Sequence, residues 1–340
     1  MNEFQEKIMN QEELDYSSRA TPSFIKFLEL LNISLLVSSY DTHRVIAINA
    51  NNNQLNTFLH PVPRPRGLAV KENCISISSL FEVTHYYRDS KETGTFWPRS
   101  QHITGELNIH DIAWGKGGLW LVNTEFSCLA TLSPELSFNP KWWPFFKTSK
   151  SKDSSCHLNG MAMQNGEPKF ATCFGPFKEN NDARFGNIQQ SGLILNVEDN
   201  RIFAEGLWMP HSPRIHQDFL YVCNSGLGQL IRYSLDGDKV QCVANLNGFT
   251  RAMAFTDDFV FVCVSKVRGS KAQTPSFDYQ KGIKNNAGIY IIDLNSFDVV
   301  AILEFTGDVG QLYDIVILED LPEFRLVSLS DSQIREHHAY

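Results

Sequence analysis

Arg66-Gly67-Leu68-Ala69 is a short phrase that the chain repeats five more times with changed letters. It returns as His110-Asp111-Ile112-Ala113, Asn159-Gly160-Met161-Ala162, His211-Ser212-Pro213-Arg214, Arg251-Ala252-Met253-Ala254 and Tyr313-Asp314-Ile315-Val316. Each copy opens a short apolar strand, followed by a turn and a longer strand that ends in small polar residues. The starts recur at roughly 40 to 60 residues with strand-rich sequence between them, which is the pattern of a β-propeller built from four-stranded blades.

The strands that follow each start read as hairpins, the second and third strands of a blade. They are Cys74 to Ser79 with Glu82 to Tyr87, Leu119 to Thr124 with Cys128 to Leu132, Lys169 to Phe174 with Gly192 to Val197, Phe219 to Asn224 with Gln229 to Ser234, and Phe259 to Ser265 with Gly288 to Leu294. Ser34 to Ser39 with Arg44 to Asn49 forms another hairpin without an inner strand of its own. The last repeat, Tyr313 to Glu319 with Phe324 to Ser330, runs out of chain. Joining these two halves hides the open sheet edges, so the expected fold is all-β, a single six-bladed propeller closed by N- and C-terminal strands. Seven blades is the alternative, because the two halves supply about one strand too many. The expected division is a flexible arm over 1–20, a short helix over 21–32, the propeller over 33–331 and a tail over 332–340. The helix follows from Phe24, Phe27, Leu28 and Leu31 at helical spacing after Pro22.

The 340 residues are 42% hydrophobic and carry a net charge of -8, without the Lys/Arg clusters that nucleic-acid binding needs. No apolar run reaches membrane-helix length, and the polar, acidic start lacks a secretion signal. Seven cysteines without a CxxC pair read as buried reduced thiols of a cytoplasmic protein, with Cys74, Cys223, Cys242 and Cys263 inside strands.

Four long connections, Arg88 to Ile109, Ser137 to Cys156, Gly175 to Ser191 and Lys266 to Ala287, fall on one face of such a ring. That face is also where the inner strands begin, and insertions massed on one face mark a binding face. The repeat register brings His110, His157 and His211 to the mouth of the central channel, with Arg66, Arg214, Arg251, Asn159, Ser212 and Tyr313 beside them. Three neutral imidazoles from three blades suit one divalent transition metal (Fe, Zn, Cu or Mn), with His216 as an outside fourth ligand and Asp111 or Asp314 orienting a ligand. The same histidines serve equally as acid/base groups in a metal-free pocket, or as structural hydrogen-bonding groups. The arginines suit a carboxylate or phosphate, pairing of Arg214 with Asp218 being the alternative. The run Trp142-Trp143-Pro144-Phe145-Phe146 is either a lid over the mouth or an anchor for its loop.

Several phrases in fixed order, among them Cys128-Leu129-Ala130-Thr131-Leu132, Ser137-Phe138-Asn139-Pro140-Lys141-Trp142, Cys156-His157-Leu158-Asn159-Gly160, Met209-Pro210-His211-Ser212-Pro213-Arg214, Ser225-Gly226-Leu227-Gly228 and Gly248-Phe249-Thr250-Arg251, resemble a bacterial family called domain of unknown function 4915. The resemblance spans roughly residues 30 to 330 and implies a propeller without implying a particular reaction. The sequence therefore supports two functions. One is an enzyme acting on a small acidic molecule or peptide-borne group in the His/Arg pocket, His110, His157 and His211 being the catalytic or metal-ligating residues. The other is a non-catalytic propeller that binds a protein or peptide on its insertion-rich face.

Overall fold

The computed structural model describes residues 14–88, 94–176, 190–267, 285–321, 324–335 and 337–338. Six sheets, antiparallel within each blade's four strands, surround a central channel. Blade 2 consists of Leu68–Lys71, Cys74–Ser78, Glu82–Arg88 and Thr95–Ile103, and blade 3 of Ile109–Gly115, Gly118–Asn123, Cys128–Thr131 and Asn139–Trp142. Blade 4 holds Gly160–Gln164, Glu167–Cys173, Gly192–Asn196 and Arg201–Leu207, and blade 5 holds Pro210–His216, Phe219–Asn224, Gln229–Ser234 and Val240–Asn245. Blade 6 is made of Phe249–Phe255, Phe259–Ser265, Ala287–Asp293 and Val299–Phe305. In each, the repeated phrase leads into or lies on the first, innermost strand.

Blade 1 draws on both ends of the chain. Its outer three strands are Ile33–Ser39, Arg44–Asn51 and Gln54–Pro61, and its inner strand is Leu312–Glu319, paired from Ile33↔Glu319 to Ser39↔Leu312. Ile33–Ser39 is buried at every position, because a strand in mid-blade packs neighbouring blades on both faces. The outermost strand of the same blade, Gln54–Pro61, is largely exposed.

The extra strand that left seven blades open has a different destination. Ile33–Ser39 already occupies the place beside Leu312–Glu319, so the chain after Glu319 moves on. Of the stretch read as Phe324 to Ser330, only Arg325–Leu326 is a strand, and it pairs in parallel with the outer strand of blade 2. At the other end, Ser18–Ala20 is not a loose arm. It adds antiparallel to the outer strand of blade 6, with Arg19 Nη2 2.7 Å from Glu304 Oε2. Both edges are thereby covered.

The core is divided by seams. Six apolar clusters lie one between each pair of adjacent blades, as with Val122, Leu129, Met161, Ala171 and Leu195 between blades 3 and 4. The seam between blades 6 and 1, where the ring closes, receives the helix Pro22–Leu30, which inserts Phe24 and Leu28. Thr21 caps that helix by accepting the Phe24 N–H at 3.3 Å, and Pro22 takes its first position.

Two of the four long connections change meaning. Arg88 to Ile109 contains the outer strand of blade 2, and Ser137 to Cys156 contains the outer strand of blade 3. Of the other two, residues 177–189 and 268–284 lie outside the described residues. All seven cysteines are free thiols and six are buried; Cys242, expected among them, is exposed on the outer strand of blade 5. Among the described residues no helix is long and apolar enough to cross a membrane.

Candidate functional site at the channel mouth

The first positions of the six phrases alternate in kind. Blades 1, 3 and 5 present Tyr313, His110 and His211, while blades 2, 4 and 6 present Arg66, Asn159 and Arg251. Five of these are between 3% and 7% exposed, and Arg251 is half-buried. Four of them are linked to one another. The His110 and Tyr313 ring centroids are 5.5 Å apart, and the Arg251 guanidinium carbon sits 4.3 Å from the Tyr313 centroid. The Arg66 carbon lies 5.3 Å from the ring of Tyr40, itself 6.2 Å from Tyr313. These are cation–π distances.

His157 stands two positions ahead of Asn159 and has a left-handed backbone, φ 49°. Arg64, Asn108 and Met209 hold the same place in blades 2, 3 and 5, with φ of 47°, 54° and 52°. The chain turns there from one blade into the next inner strand, a conformation that costs a non-glycine residue about 1–2 kcal/mol. The turn brings the His157 ring edge-on to His110 at 4.8 Å and stacked on Phe174 at 4.4 Å, and Phe174 in turn is 5.3 Å from His211.

Both His110 and His211 are held through Nδ1. His110 Nδ1 lies 2.8 Å from the Asn108 carbonyl oxygen and 2.8 Å from Thr124 Oγ1. His211 Nδ1 lies 2.8 Å from the Met209 carbonyl oxygen and 2.9 Å from Ser225 Oγ. A carbonyl oxygen only accepts, so Nδ1 carries the proton in both rings. Burial holds both imidazoles well below their usual range. The neighbouring His157, Arg66 and Arg251 reinforce this at His110, and Arg251 and His157 do so at His211. Both rings are neutral, with Nε2 as a lone-pair acceptor.

Four polar atoms of this ring are buried without a hydrogen-bond partner: Arg66 Nη1, Asn159 Nδ2, Arg251 Nε and Tyr313 Oη. The Asn159 orientation is fixed because its Oδ1 accepts from Thr172 Oγ1 at 2.7 Å, which leaves the amide nitrogen as the unused donor. Buried donors without partners cost about 1–3 kcal/mol each. Four such atoms stand in this one ring.

One layer deeper, the second positions repeat the alternation. Asp314, Asp111 and Ser212 on blades 1, 3 and 5 face Gly67, Gly160 and Ala252 on blades 2, 4 and 6. Each odd blade is tied to the next: Asp314 Oδ2 accepts the Leu68 N–H at 2.8 Å, Asp111 Oδ2 accepts the Met161 N–H at 3.0 Å, and Ser212 Oγ donates to the Arg251 carbonyl at 2.7 Å. A Cβ on Gly67 would lie 2.9 Å from Ile112 N, and one on Gly160 would lie 2.5 Å from Pro213 Cδ, so these blades approach too closely for a side chain.

Arg214 belongs to this layer and not to the mouth. Its Nη1 and Nη2 grip Asp111 at 2.8 and 3.0 Å, and Nη2 is 3.7 Å from Asp314 Oδ1. Its acidic partner is thus Asp111 across the channel, not Asp218, and its guanidinium is occupied. His216 is also displaced from the expected site, at the far end of its strand, stacked on Phe255 at 4.5 Å. Among the described residues no group of three or more His, Cys, Asp or Glu side chains is arranged to hold a metal ion. Phe174 packs against both His157 and His211. The aromatic run is no lid. Trp142 is in the outermost strand of blade 3, Trp142 and Phe146 pack against the seam with blade 4, and Trp143 packs against the seam with blade 2.

Tyr40, Phe174, Thr124 and Ser225 were missed by the register of inner strands. Each directly follows a second strand, so the same alignment moved one strand outward finds them.

Known folds agree with this architecture. The chain is similar to a chain of a nidogen/laminin complex, with 12% identity and a TM-score of 0.54 over 86% of this chain and 99% of that one. It is also similar to a protein of unknown function from Bacteroides caccae, with 11% identity and a TM-score of 0.54 over 84% and 98%. At such identity the likeness is one of fold. No curated protein matches the sequence. The ring of repeats and the phrases that carry its mouth lie within residues 22–325, which match one family model over that whole span, and the chain belongs to the family described as Domain of unknown function (DUF4915).

Proposed function

We propose that the channel mouth binds a small acidic molecule, or an acidic group borne on a peptide, and that His110 and His211 serve there as general bases. The observation that carries this reading is the convergence of unpartnered buried donors on Arg66, Asn159, Arg251 and Tyr313. A carboxylate or phosphate supplies the acceptors they lack, and charge-assisted bonds to guanidinium are the stronger kind. Burial keeps both imidazoles neutral, so each offers its Nε2 lone pair to a ligand proton without having to lose one first. Phe174 and Phe249, the latter 5.5 Å from His211, give the pocket an apolar wall.

The test is a thermal melt of the protein with succinate and with inorganic phosphate, beside Arg66→Met and Arg251→Met. Ligand at a hundred times its dissociation constant adds about 2.7 kcal/mol, a rise of several degrees for a chain of this size. Binding at the mouth raises the wild-type melt and leaves both variants unmoved. A wild type that neither anion shifts, or variants that shift as it does, removes this reading.

A further inference from the structure

His110 and His211 sit in the same cradle on two different blades. In each, Nδ1 faces the carbonyl two residues earlier and a hydroxyl fourteen residues later. In each, the residue presenting that carbonyl, Asn108 or Met209, is held in the left-handed region. The hydroxyls are themselves anchored: Thr124 Oγ1 donates to the Leu158 carbonyl at 2.5 Å and Ser225 Oγ to the Cys223 carbonyl at 3.4 Å. Neither Nε2 receives a hydrogen bond from the described residues. The mouth is therefore two-sided. Arg66 and Arg251 flank blade 1 and offer donors, whereas blades 3 and 5 offer two acceptors of fixed tautomer.

We propose that the ligand is a hydroxylated acid, its anionic group held between Arg66 and Arg251 and a hydroxyl donating to Nε2 of His110 or His211. This rests on the anion-binding reading of the same pocket and adds the second half of the ligand. A plain acid leaves the imidazole lone pairs unbonded, and a neutral polyol leaves the guanidinium donors unbonded. An ammonium in place of the hydroxyl is disfavoured because Arg66 and Arg251 are both close enough to act electrostatically on His110.

Calorimetric titration of the wild-type protein with matched pairs decides this: malate against succinate, glycerate against propionate, and gluconate against hexanoate. The hydroxylated member of at least one pair should bind about 10-fold more tightly or better, the gain of one hydrogen bond to a buried acceptor. In His110→Phe or His211→Phe, which keep an aromatic ring, that preference should fall below about 2-fold. Equal binding of both members of every pair by the wild type overturns the hydroxyl assignment and leaves the anion site standing. Binding of no member of any pair removes both. The wild-type comparison needs no variant, so misfolding of a histidine variant does not rescue the proposal.

Discussion

Arg214 on blade 5 holds both carboxylate oxygens of Asp111 on blade 3, at 2.8 and 3.0 Å, while facing Asp314 on blade 1. Alternate blades are thus tied across the axis by one cation and two carboxylates that are each 4% exposed. Arg214→Met leaves those carboxylates without their cation, and breaking a buried pair from one side costs about 3–5 kcal/mol. Urea denaturation should show a loss of that size. Adding Asp111→Asn should recover part of it, and a loss under about 1 kcal/mol would deny the tie its structural weight.

The arginines of the mouth should behave in the opposite way. Arg66 and Arg251 carry buried nitrogens with no partner, so Arg66→Met and Arg251→Met remove an uncompensated cost of about 1–3 kcal/mol. Their melting temperatures without ligand should equal or exceed that of the wild type. Stability lost here, on the scale of Arg214→Met, would assign these residues to the scaffold.

Gly160→Ala tests the seam between blades 4 and 5. The added methyl would meet Pro213 Cδ at 2.5 Å, Thr172 Oγ1 at 2.9 Å and Ser212 N at 3.0 Å. Overpacking of this kind costs about 1–3 kcal/mol. Because Thr172 also fixes the Asn159 amide, the variant should lose anion affinity along with stability, as a paired melt and titration would record.

Stability should fall on mild acidification. Burial holds His60 down to about 4, and His43, His85, His110 and His211 are also lowered, with burial the leading cause in each. A base whose folded value lies below its unfolded one takes up protons more readily when unfolded. Its contribution is complete above its unfolded range and is lost as pH falls from about 6.5 toward the folded value. His60 alone, bonded to Tyr86 Oη at 3.0 Å, contributes roughly 3 kcal/mol to that loss by about pH 4. Asp314, lifted by its burial, works against the trend, since its folded form keeps a proton that the unfolded form releases. Chemical denaturation between pH 4 and 7 should give a positive slope that His60→Gln reduces, and an unchanged slope would contradict the assignment.

The six inner strands were legible because their first two residues break the apolar pattern at a regular interval, and the same register located His110, Asn159, His211, Arg251, Tyr313 and Arg66. What it could not show was direction. Arg214, three residues further along the strand than His211, turns into the channel toward Asp111, a partner 103 residues away that spacing cannot reveal. The surroundings of the three histidines were hidden for a related reason. The three histidines do gather at one mouth, but Phe174 comes from the end of a second strand, where no repeat of inner strands draws attention, and it fills the space between two of them. The short edge strands Ser18–Ala20 and Arg325–Leu326 were hidden because their stability comes from a sheet already formed, not from their own residues.

The closure of blade 1 sets an order in time. During synthesis, Ile33–Ser39 emerges early with one edge waiting for Leu312–Glu319, while five blades are made in between. Tyr313 and Asp314 arrive on that strand, so the mouth has neither its sixth wall nor its second channel carboxyl group until the first five blades' worth of chain has been followed by Leu312–Glu319. Without Leu312–Glu319 the ring stays open at Ile33–Ser39 and the mouth lacks one of its six walls, so binding there would report that the ring has closed.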